Sequence, residues 1–69
     1  MATINYEKEW TRIATRLEWT LTRIEKMLAE AKFEDERTPL RVQMATVMTQ
    51  LEHARSVAQD YATKRRNAV

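Results

Sequence analysis

The chain contains no cysteine and no glycine, and only one proline (Pro39), one histidine (His53) and one serine (Ser56). Without cysteine, disulfides and thiolate metal sites are excluded. Without glycine, the positive backbone angles of tight β-turns and phosphate loops have no natural donor. A single histidine leaves no His-based metal cage within one chain. No apolar run approaches the roughly 20 residues of a membrane span. The start, Met1-Ala2-Thr3-Ile4-Asn5, lacks the basic and then apolar pattern of a signal peptide. A cytoplasmic protein with no membrane partner is therefore expected. The net charge of +2, from 12 bases and 10 acids, is too small to argue for nucleic acid by itself.

Against these absences, 32% of the 69 residues are charged. That is the composition of long helices joined once, and the expected class is all-α. Thr3 or Asn5 can cap a first helix over about 5–34. At about 100° per residue one face collects Tyr6, Trp10, Ile13, Ala14, Leu17, Leu21, Ile24, Leu28 and Ala31. Glu34-Asp35-Glu36-Arg37 then breaks the pattern, and Thr38-Pro39 reads as an N-cap followed by a first helical residue. This places a turn at 35–38 and a second helix over about 39–66. Its stripe is Leu40, Met44, Val47, Leu51, Ala54, Ala58 and Tyr61.

Two helices of similar length on a short link favour an antiparallel hairpin. Side-chain size supports that register, because Trp10 and Ile13 would face Ala54, Ala58 and Ala62. Leu21, Ile24 and Leu28 would face Leu51, Val47 and Met44. Each stripe is about 100° wide or more, and one neighbour covers only part of it. Folds below roughly 70–80 residues also rarely gain more than ~3–5 kcal/mol from one core. The expected completion is a second copy, giving a dimeric four-helix bundle, with docking on a different protein as the alternative. Leu17, Leu21, Ile24, Leu28, Met44, Val47 and Leu51 would form its self-association core.

In helix count, helix length and apolar stripe the chain is similar to small plasmid RNA-binding hairpins of the Rop type, which pair into four-helix bundles. Small phage and mobile-element proteins share the same outline, including inhibitors that bind bacterial machinery. The resemblance implies a paired bundle. It carries over no residue, because no motif is shared.

No catalytic constellation, metal site or cofactor site is expected. His53 lacks the Glu-x-x-His partner of di-iron bundles, since Gln50 stands three residues before it. The HExxH pattern is absent as well. Glu34-Asp35-Glu36 lacks the alternating ligands and glycine of a calcium loop and reads as a solvated turn.

Binding surfaces are more informative. Trp19 lies nearly opposite the core stripe, with Phe33 near the same direction. Around Trp19 stand Lys8, Arg12, Arg16, Arg23 and Lys26, with Thr15 and Thr22. Aromatic and arginine side chains are common binding hot spots. Trp19, Phe33, Arg12, Arg16, Arg23 and Lys26 are thus candidate protein-binding residues. The simpler alternative is that Arg16 and Arg23 lie across the Trp19 ring as local cation–π pairs. Lys64-Arg65-Arg66 would lie near Lys8 and Arg12 in a hairpin. Lys8, Arg12, Lys64, Arg65 and Arg66 are the candidates for phosphate contact. The expected function is a non-enzymatic protein-interaction module, structural or regulatory, with an RNA- or DNA-binding regulator as the alternative.

Overall fold

The computed structural model describes residues 5–67, as two antiparallel helices with an extended contact between them. Helix α1 spans Tyr6–Glu30 and helix α2 spans Glu34–Asn67. The hairpin is a rod of 54 × 20 × 14 Å. Neither helix is long and apolar enough to cross a membrane.

Asn5 starts α1. Its backbone is extended and its side chain accepts a hydrogen bond from the Lys8 N–H at 3.1 Å. Glu7 and Glu9 in the first turn face the positive end of the helix dipole. Thr3, the other candidate cap, lies outside the described residues.

The reversal falls earlier than the expected 35–38. Ala31 leaves the helix with φ −69° and ψ 131°, while its N–H still donates to the Met27 carbonyl at 2.9 Å. Residues 31–33 form the whole link, and no described residue has a positive φ. A link that leaves the helix through an extended Ala31 and needs no positive φ lets a chain without glycine form a tight hairpin. The physical reason for the shift lies in Glu34-Asp35-Glu36. At the end of α1 these carboxylates would face a negative helix terminus, whereas in the first turn of α2 they face a positive one. The carbonyl of Phe33 accepts from the Glu36 and Arg37 N–H groups, both at 3.1 Å, and so opens α2 without a side-chain cap.

Thr38 and Pro39 are consequently inside α2 rather than at its start. The Thr38 hydroxyl donates back to the Glu34 carbonyl at 2.9 Å, a mid-helix pattern. Pro39 has no N–H to give to the Asp35 carbonyl four residues earlier, so one helical bond is missing. Arg41 bridges the weakened turn, with Nη1 at 3.0 Å and Nη2 at 3.4 Å from the two Glu34 carboxylate oxygens. The helices are also unequal, at 25 and 34 residues, or about 38 and 51 Å.

The core is thin. Among the described residues its buried side chains are Ala14, Ile24, Val47, Leu51 and Ala54, and no large one is fully enclosed. Trp10, Leu17 and Leu21 pack from the side against the cluster of Ala14, Leu51 and Ala54. Small residues there let the helices approach closely, as dense packing requires. Ile13 departs from the expected pairing with alanines. The helix is rolled so that Ala14 (7% exposed) points into the contact and Ile13 (41%) does not. Ala58 and Ala62 share a furrow with Thr11 and Ala14 instead.

Replacing Pro39 distinguishes the two descriptions of α2. Pro39→Ala restores an interior helical bond, and should raise the melting temperature by about 4 °C or more, given on the order of 1–3 kcal/mol gained. A proline that began the helix would give no gain.

Candidate interaction surfaces

The two helices leave a furrow along each side of their contact, and the two furrows differ in chemistry. On one flank Glu18 and Arg55 meet across the helices at 2.6 Å. Glu7 Oε2 lies 3.1 Å from Arg65 Nη1, off the hydrogen-bond axis. Thr11, Ala14, Ala58, Gln59 and Ala62 line the floor and rim between these pairs. The side chains of Glu18 and Arg55 are each about half exposed, so their pair contributes no more than about 1 kcal/mol. It is compatible with the register that the apolar contact of Ala14, Leu51 and Ala54 fixes.

The opposite flank is apolar. Trp10, Ile13, Leu17, Thr49, Gln50 and His53 line an open groove without a carboxylate or a permanent cation. His53 is exposed, as the helical wheel implies, and its ring stands edge-on to Trp10 at 5.7 Å and 85°. Tyr6 stacks on Tyr61 at 5.5 Å near the open end, and Lys64 Nζ sits 5.5 Å from the centre of the Tyr61 ring. Nearer the turn, Met27 (45% exposed) and Val42 (62%) stand out of the surface. Ile24, Val47 and Leu51 are buried between the helices, while Leu17, Leu21, Leu28 and Met44 are half-buried.

The outer face of α1 carries a third surface. Lys8, Thr11, Arg12, Thr15, Arg16 and Trp19 share a shallow depression, and Trp19 is 75% exposed. Among the described residues the one cation seated over an aromatic ring is Lys64 on Tyr61. Arg16 and Arg23 do not cover Trp19, so local cation–π packing does not account for it. Arg12 pairs with Glu9 at 3.3 Å and Arg65 with Glu7 at 3.1 Å, and both are thereby partly neutralised. Among the described residues, Lys8, Arg16, Arg23, Lys26, Lys64 and Arg66 have no ion-pair partner. The threonines add little here. The Thr15 and Thr22 hydroxyls each donate at 3.0 Å to carbonyls four residues earlier on their own helix.

The helical wheel does not place Phe33 on this face. It lies in the link beyond the end of α1, 64% exposed, beside the acidic first turn of α2. Helix α1 ends before the wheel that aligned Phe33 with Trp19 could reach it. Sequence reading also missed the contrast between the two flanks. The Glu18–Arg55 spacing carried that signal, but only once the register was known. Among the described residues no three His, Asp or Glu side chains are gathered around a common point.

The two tryptophans should respond differently to truncation. Trp19→Ala should leave thermal stability within about 0.5 kcal/mol of the parent. Trp10→Ala, which strips the cover from Ala14, Leu51 and Ala54, should cost roughly 2–3 kcal/mol. Equal losses in matched thermal melts would show that Trp19 is covered. No protein-family model, curated protein or solved structure matches this chain.

Proposed function

We propose that this chain is a non-enzymatic helical interaction module, and that its apolar flank is completed by a second copy to form a dimeric four-helix bundle. The observation that carries this reading is the surface left uncovered. The hairpin exposes 5869 Å². A compact chain of 8.2 kDa exposes about 4500 Å². Its radius of gyration is 16.1 Å, against about 11 Å for a compact domain of this length. The excess of about 1400 Å² exceeds the roughly 800 Å² that each partner buries in a standard interface. The groove between Trp10 and His53 supplies an apolar centre for such a contact, and the Glu18–Arg55 flank would remain outside in water.

Pairing would turn the half-buried Leu17, Leu21 and Leu28 into core residues. It would also leave the Trp19 face free on the outside of the bundle. Trp19 with Arg16, Arg23 and Lys26 then becomes the surface through which a bundle would engage a further protein. A second reading, single-stranded nucleic acid, is favoured by Trp19 sharing its depression with Lys8, Arg12 and Arg16. A base would stack on the indole while cations meet the phosphates. Its mark would be oligonucleotide binding that falls steeply with salt and is lost in Trp19→Ala.

Sedimentation equilibrium tests the main reading. The parent should have a mass of twice 8.2 kDa. Ile13→Glu places a charge in the proposed contact at a position water already reaches in the hairpin, and should give single chains that keep their helicity. A parent of single-chain mass throughout the micromolar range, or an Ile13→Glu variant that still pairs, would overturn it.

A further inference from the structure

We infer that two copies pair antiparallel, the turn of each lying beside the open end of the other, with the protruding Met27 of one copy seated in the Trp10–Ile13–His53 groove of its partner. This rests on the pairing proposed above and adds its orientation.

The first argument is shape. The groove lies in the half of the rod towards the open end, and the protruding apolar side chains lie in the half towards the turn. At 100° per residue, Met27 is within about 40° of Ile13 on α1 and so belongs to the same flank as the groove, whereas Val42, about 160° from both Leu40 and Met44, stands on the outer face of α2. Thr20 stands seven residues from Ile13 and seven from Met27, about 10 Å along the helix in each direction. A twofold axis beside Thr20 would bring each protrusion onto the other copy's groove. Thr20 is also close to the midpoint between Tyr6 and the 31–33 link, so the same axis aligns the two rods end to end. In a parallel pair, groove would face groove and protrusion would face protrusion.

Charge gives an independent argument. Residues 25–42, at the turn, carry five acids and four bases, a net charge of −1. Residues 5–16 and 53–67, at the open end, carry three acids and seven bases, a net charge of +4. A parallel pair sets +4 beside +4, and an antiparallel pair sets each +4 end beside a −1 end. Like-charge juxtaposition disfavours the wrong partner arrangement, and opposite charge selects the right one.

Spin–spin distances decide the matter. The chain has no cysteine, so Lys32→Cys in the exposed link accepts a single nitroxide. Antiparallel copies place the two labels about 40 Å apart, because Lys32 lies twelve residues, about 18 Å, from the axis beside Thr20. A parallel pair places them about 20 Å apart, near two helix diameters. Thr63→Cys at the open end should also give a long distance. A mixture of the two labelled chains should add a short cross-distance. A short distance within either sample alone overturns the orientation and leaves pairing intact. No dipolar signal in chains whose circular dichroism matches the parent overturns the orientation and the pairing together.

Discussion

One helix-to-helix contact cannot enclose two apolar stripes, and the rest of this molecule follows from that shortfall. A helix presents a band of apolar side chains about 100° wide, while a single neighbour covers a narrower strip. In this hairpin the enclosed strip is Ala14, Ile24, Val47, Leu51 and Ala54, with Ala54 the most deeply buried at 1% exposure. The small residues bring the rods together, but they contribute little burial themselves. Trp10, Leu17 and Leu21 complete the cluster from its margin, and Ile13, Met27 and Met48 stay substantially in water. There is no disulfide to compensate.

The two margins of the contact divide the remaining work. One is bridged by Glu18–Arg55 and Glu7–Arg65, which gain little energy in water. Burying that margin would strip water from four charged groups, a desolvation cost their mutual attraction need not repay. The other margin has aromatic and aliphatic walls with Thr49, Gln50 and His53 on its rim and no carboxylate, and loses less by being covered. A partner therefore has a preferred side of approach. The Trp19 face lies apart from both margins, on the outer surface of α1. Self-pairing and an outward binding surface are compatible on this scaffold.

The broad architecture was legible because it rests on periodicity. The spacing of Leu17, Leu21, Ile24 and Leu28 against Met44, Val47 and Leu51 can produce only rods with facing stripes. The position of the turn was misread because Thr38-Pro39 is a strong local start signal, while the competing signal is spread over three carboxylates. Glu34, Asp35 and Glu36 each prefer a positive helix end, and together they move the start of α2 forward and leave Pro39 inside it. The exposure of Trp19 could be read from the wheel. Phe33 could not, because its direction depended on α1 continuing past Glu30. The difference between the two margins was invisible because it depends on a roll of a few tens of degrees. That roll puts Ala14 inside and Ile13 outside, although both belong to the stripe.

Melting temperature as a function of chain concentration tests the central claim most directly. If folding and pairing are one process, a hundredfold rise in concentration stabilises the folded state by about 2.7 kcal/mol and moves the midpoint up by about 10 °C. A midpoint that stays fixed across that range, with a cooperative transition, would mean that the thin core of the single hairpin suffices and that nothing need cover its apolar margin.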